Sequence, residues 1–126
     1  MKVAIVGSRV FDDYSLLDKV ITDYANCQPS GITMIISGGA VGADKMAERY
    51  AREHSIPIKL YLPDWGTYGK SAGAIRNALI VQECDICFAF WDGQSRGTKI
   101  DIDLCKQYHK QCIIINYKDT QTALFK

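Results

Sequence analysis

A chain of 126 residues, 48% of them apolar, can bury one core but not two, so a single domain spanning residues 1–126 is expected. Lys and Arg number 15 against 14 Asp and Glu, a formal charge of +1 with no charged tail, which argues against a nucleic-acid binder held by bulk electrostatics. No apolar run approaches the roughly 20 residues of a membrane span, and Met1-Lys2 leads straight into a strand-like run, not a secretory leader; the expectations are a cytoplasmic location and no membrane partner.

The first predicted element is the unbroken apolar run Val3 to Val6, which reads as a parallel strand buried on both faces and ends at Gly7. Asp12 or Asp13 can cap a helix carrying Leu17, Val20, Ile21 and Tyr24 at helical spacing, stopped near Pro29 and Gly31. Thr33 to Ile36 reads as a second buried strand, followed by a helix with the apolar face Ala43, Met46, Ala47, Tyr50 and Ala51. Ile58 to Leu62 reads as a third strand of the same kind. A connection over 63–71 exceeds the usual length and is a candidate ligand loop. Ile75, Ala78 and Leu79 mark a third helix, Ile86 to Phe90 a fourth strand, Ile100, Leu104, Cys105 and Tyr108 a fourth helix, and Cys112 to Ile115 a fifth strand.

Strand and helix in strict alternation imply an α/β, three-layer Rossmann-like domain: a five-stranded parallel sheet, order 3-2-1-4-5, with helices on both faces. That order puts the reversal of winding between the first and fourth strands, where ligands of such sheets bind outside the carboxyl ends. The five cysteines are an odd number scattered through apolar segments, which suits free thiols better than a disulfide framework. Cys84 and Cys87 form a CxxC, but it lacks a second ligand pair at matching spacing, so core thiols and no metal site are expected.

Three strand-end loops carry the chemistry. Gly7-Ser8-Arg9 combines a sharp turn, a hydroxyl and a planar guanidinium suited to phosphate. Ser37-Gly38-Gly39-Ala40-Val41-Gly42-Ala43-Asp44 runs directly into a helix; either Gly38, Gly39 and Gly42 clear space for a phosphate at the helix start, or they serve turn geometry alone. No Gly-Lys-Ser/Thr follows, so it is not a Walker loop. Asp92-Gly93-Gln94-Ser95-Arg96-Gly97-Thr98 offers a second anion-binding helix start, with Arg96 to reach the ligand and Asp92 to hold ribose hydroxyls. The long connection adds Trp65, Tyr68 and Lys70, and the next helix adds Arg76 and Asn77; Trp65 either stacks on a base or plugs the sheet edge.

On these residues the chain resembles the SLOG superfamily, which joins the DNA-processing DprA/Smf proteins to the LOG cytokinin-activating phosphoribohydrolases. It is most similar to the small YspA-type branch, with Val6-Gly7-Ser8-Arg9, Ser37 to Asp44, Tyr68-Gly69-Lys70 with Ala72-Gly73, Arg76-Asn77 and Trp91 to Thr98 in that branch's order. The resemblance implies a Rossmann-like fold and a pocket for nucleotides or their derivatives. LOG enzymes carry an Arg on the helix before the fourth strand and a Glu three residues after a Gly-Thr pair. Arg76 matches the first and Asp101 stands at the second, although Asp replaces Glu and residues 92–96 replace a Pro-Gly-Gly loop. Likeness to DprA lies in Arg76-Asn77 and in Ser37 to Ala40, without a basic excess.

The leading expectation is therefore a module that binds, senses or processes a nucleotide-derived small molecule and requires no other cofactor; a homodimer is compatible with it. One alternative is a nucleoside-monophosphate N-glycosidic hydrolase using Arg76 and Asp101, with Asp101 otherwise an ordinary surface Asp near a helix N-terminus. A second is single-stranded DNA binding in the DprA manner, with nucleic acid the less expected partner.

Overall fold

The computed structural model describes residues 1–118. Five strands form one parallel sheet: β1 (Lys2–Gly7), β2 (Met34–Ser37), β3 (Ile58–Leu60), β4 (Ile86–Trp91) and β5 (Gln111–Asn116), in the order β3-β2-β1-β4-β5. The Rossmann-like α/β architecture and its strand order are those the alternating pattern predicts. Val3 pairs with Ile35 on one side and with Ile86 on the other, so β1 is the central strand from which the chain winds first one way and then the other.

The two-residue period of these strands divides the core in two. Val3, Ile5, Ile35, Ile86, Phe88 and Phe90 point to one face and meet Leu17 and Ile21 of α1 (Tyr14–Asn26) and Ala47 and Tyr50 of α2 (Ala43–Glu53). Ala4, Val6, Ile36, Cys87 and Ala89 point to the other and meet Ile80 and Val81 of α4 (Ala72–Glu83) and Ile102 and Cys105 of α5 (Arg96–Gln107). Asp13, not Asp12, caps α1, its carboxylate accepting from the Leu16 N–H at 3.1 Å.

Four details depart from the sequence reading. β3 is not buried on both faces: it is a three-residue edge strand, with Ile58, Leu60 and the following Leu62 all exposed. The third predicted helix turns Ala72, Ile80 and Val81 inward and leaves Leu79 exposed. On α5 the buried residues are Thr98, Asp101, Ile102 and Cys105, whereas Ile100 is exposed. The connection over 63–71 is not structureless but winds into α3 (Trp65–Tyr68) and a 3₁₀ turn (Gly69–Ser71), with Asp64 capping α3 through the Thr67 N–H. No helix among the described residues is long and apolar enough to cross a membrane.

Candidate functional site

A cleft of about 500 Å³ opens beyond the carboxyl ends of β1 and β4, which stay paired up to Gly7 and Phe90, within the size range of small-molecule sites. The first loop contributes Gly7, Ser8 and Arg9, the second Ala40 and Asp44, and the fourth-strand loop Asp92, Ser95, Gly97 and Thr98. Trp65, Arg76, Asn77 and Asp101 complete the expected set that meets there. Val6 and Gly73, which the sequence shows only as members of the family motifs, also line the cleft, as do Val10 and Ile80, to which no motif points. Ile80 carried a usable signal, because it stands one helical turn beyond Arg76 and shares its face.

Ser37, Gly38, Gly39, Gly42, Tyr68, Lys70, Gly93 and Arg96 were expected to touch a ligand and do not line the cleft. Ser37 is buried and donates to the Asp44 carbonyl at 3.1 Å, fixing the start of α2. Only Trp65 of the long connection reaches the cleft, since α3 and the 3₁₀ turn leave Tyr68 and Lys70 exposed beyond it.

The second loop is closed by the protein itself. A Cβ on Gly38 would lie 2.6 Å from Arg76 Nη1 and 3.0 Å from Asp44 Oδ2, so the space above this glycine holds a guanidinium and a carboxylate. Gly42 has φ +79°, and a Cβ there would fall 2.4 Å from the Ser8 carbonyl oxygen. The loop's donors are used as well: the N–H groups of Gly39, Ala40 and Ala43 donate to Ser37 Oγ, Asp44 Oδ2 and the Ser8 carbonyl.

The loop before α5 is shaped from within but left open. Asp92 Oδ1 accepts from the N–H groups of Gln94 at 2.8 Å and Ser95 at 2.7 Å, and these bonds hold its carboxyl below the usual range. Trp91 Nε1 donates to the Ser95 carbonyl at 3.0 Å. Ser95 precedes the helix without a side-chain cap, and among the described residues the N–H groups of Gly97 and Thr98 have no hydrogen-bond partner. No atom lies within 4 Å of where a Cβ on Gly97 would stand.

Two carboxylates and one guanidinium form the floor. Arg76 Nη1 donates to the Gly38 carbonyl and Nε to Asn77 Oδ1, both at 2.7 Å; no ion pair within 4.0 Å joins it to Asp101, although its charge is felt there. Asp101 is not the surface residue of the alternative reading: it is 8% exposed, and its Oδ1 has no partner among the described residues. Burial, then the nearby charge of Asp44, pushes Asp101 up to about 7, against the pull of Arg76. Burial likewise pushes Asp44 up to about 6, opposed by the Ala40 N–H and by Arg76. Ser8 Oγ, 2% exposed, is a second buried polar atom without a partner. Such atoms are rare in folded chains, and here two of them belong to residues that line one cleft.

A sequence model described as "YspA, cpYpsA-related SLOG family" matches residues 1–68. The Gene 61 protein of Mycobacterium phage D29 is 36% identical over 104 residues, covering 78% of this chain and 82% of that protein. Among solved structures, DNA processing protein A from Helicobacter pylori, described with a single-stranded DNA binding mode, superposes with a TM-score of 0.68 at 23% identity over 90% of this chain and 64% of that one. The Streptococcus pneumoniae DNA processing protein A gives 0.72 at 19% identity, over 90% of this chain and 49% of that one. The Moco carrier protein of Chlamydomonas reinhardtii gives 0.61 at 15%, over 91% and 75%. At these identities the three structures establish the fold, and the chain spans less than two thirds of either DNA processing protein.

Proposed function

The chain belongs to the YspA, cpYpsA-related SLOG family, and we propose that it binds a nucleotide or nucleotide-derived ligand in the cleft beyond the carboxyl ends of β1 and β4. The observation that carries this reading is the pair of unpartnered buried polar atoms, Ser8 Oγ and Asp101 Oδ1, on residues that line a cavity of about 500 Å³. A buried polar atom left unpaired costs about 1–3 kcal/mol, and a ligand rich in hydroxyls removes that cost on binding. Phosphate suits the free N–H groups of Gly97 and Thr98, aided by Arg9 at the mouth. A base suits the face of Trp65, which is 58% exposed at the rim. Mono- and dinucleotides or ADP-ribose-like compounds are expected to raise the melting temperature, as any ligand specific for the folded state does. No shift across such a panel, with the protein demonstrably folded, would end this reading.

Hydrolysis of the ligand's N-glycosidic bond is favoured by one feature, the buried carboxyl of Asp101. In its ionised form it can stabilise positive charge growing on the ribose and orient a water. Base release should then rise with pH through about 7, where Asp101 ionises. Asp101→Asn should abolish release and spare binding. Normal turnover by that variant, or no free base from any nucleotide, rules hydrolysis out.

Single-stranded DNA binding is favoured by a different feature. A groove lined by Lys45, Arg49 and Arg52 of α2 joins the cleft through Arg9 and Val10, which border both. Lys45 and Arg49 are paired with Glu48 and Glu53, so the groove's excess charge is modest and binding should fall steeply with salt. Tight binding that persists at high salt would instead make DNA the principal ligand.

A further inference from the structure

Four of the five cysteines lie at the end of the sheet away from the cleft. Cys87 is the second residue of β4, Cys112 the second of β5 and paired to it in register, and Cys105 stands in the last turn of α5. The Sγ atoms of these three all lie within 4.8 Å of one another. Cys84, at the end of α4, is also buried, but its thiol donates to the Val81 carbonyl at 3.3 Å. The pair that looks like a motif in sequence, Cys84 and Cys87, is thus not the group that converges; the cluster draws on one cysteine of that pair and two from further along the chain.

We propose that Cys87, Cys105 and Cys112 form a three-thiolate site for a soft divalent metal ion of the zinc group. A zinc–thiolate bond of about 2.3 Å sets sulfur atoms roughly 3.8 Å apart in a tetrahedron. From a starting separation of at most 4.8 Å, small side-chain rotations close that gap. Charge selects the ion. Three thiolates around a divalent ion leave one net negative charge, and a monovalent ion such as Cu(I) leaves two, which is costlier in a buried setting. The amine of Lys110 is anchored beside the cluster, donating to the Cys84 carbonyl at 2.8 Å, and supplies one compensating positive charge. Cys87 and Cys105 are fully buried, but Cys112 is half-buried on the edge strand and gives an ion its way in. A bound ion would tie β4, α5 and β5 together without touching the cleft. The competing account is that the three thiols pack as small apolar groups and bind nothing.

The experiment titrates Cd²⁺, then Zn²⁺, into the full chain kept reduced by a phosphine. The background is Cys27→Ala, because Cys27 is exposed and would bind ions on its own. Expected are a sulfur-to-cadmium charge-transfer absorption that saturates at one equivalent, protection of the half-buried Cys112 thiol from a thiol-modifying reagent, and a higher melting temperature with Zn²⁺. Adding Cys105→Ser or Cys112→Ser should weaken binding by at least the roughly 10–100-fold typical of losing an outer-shell partner, and Cys84→Ala should leave it intact. Cys112→Ser decides the matter if Cys105→Ser fails to fold, since its site is on the half-buried edge. No band at one equivalent, or a band unchanged in folded Cys112→Ser, overturns the proposal.

Discussion

Two glycine-bearing helix starts border the cleft, and they are filled differently. At α2 the chain occupies its own loop: Arg76 and Asp44 cover Gly38, the Ser8 carbonyl abuts Gly42, and three loop N–H groups are taken. At α5 the space beside Gly97 is empty and the N–H groups of Gly97 and Thr98 are unpaired among the described residues. Similar composition therefore serves two purposes, one holding the site's floor in place and the other left open toward whatever enters. It follows that changes at the α2 start should cost stability, and changes at the α5 start should cost binding alone.

The largest expected effect is that of Gly42→Ala. The new methyl would stand 2.4 Å from the Ser8 carbonyl oxygen at a residue with φ +79°, so both a clash and an unfavourable backbone conformation arise. A loss of about 3 kcal/mol or more is expected, read as a fall in melting temperature of roughly 10 °C or more at this chain length. A variant that melted within about 2 °C of the parent would show that the loop is not closed by contact with the β1 turn.

Next in size is a pH effect centred on the floor. Asp44 and Asp101 are raised in the fold to about 6 and about 7, so the folded chain holds protons that the unfolded chain releases from about pH 4 upward. Stability from this source is fully present below about pH 4, falls as pH rises, and is lost above about 7. The ligand-free protein should accordingly be more stable at pH 5 than at pH 8, by on the order of 4 kcal/mol, in denaturant titrations. Asp101→Asn removes the more strongly raised of the two groups, and should flatten the slope and raise stability at pH 8. A parent whose stability is level from pH 5 to 8 would contradict the buried, incompletely paired state of these carboxyls.

How much of this was legible in sequence depends on how local each cause is. The strands were legible because runs such as Val3 to Val6 bury both faces, and the order followed from their alternation with helices. The exposure of β3 was not, because Ile58 and Leu60 read the same at a sheet's edge as at its centre. On α4 and α5 the periodicity reveals the helices but not which stripe turns inward: Leu79 and Ile100 mark the helices and are exposed, whereas Val81 and Ile102 are buried. Arg76 stands out beside the long connection, Asp101 only through the family resemblance, and its burial sets Asp101 apart from a surface residue. The reason for Gly38 lay 38 positions away in Arg76, beyond any local pattern.

The smallest expected effect on the fold is also the sharpest test of the open helix start. Gly97 lies in the first turn of α5 with ordinary helical backbone and nothing within 4 Å of its missing Cβ. Gly97→Ala should leave stability unchanged or raise it by up to about 1 kcal/mol, since alanine loses less entropy in a helix. Gly97→Val adds a branched side chain that borders the cleft and still meets no protein atom at its Cβ. If phosphate is drawn to the free N–H groups there, the valine variant should lose most of the thermal shift that nucleotides give the parent, with its ligand-free melting temperature within a few degrees of the parent's. A valine variant that folds normally and keeps the full shift would mean that the ligand does not use the α5 start. Any anion would then have to be met by Arg9 and Arg76 alone, and the contrast between the two helix starts would be one of packing without a role in binding.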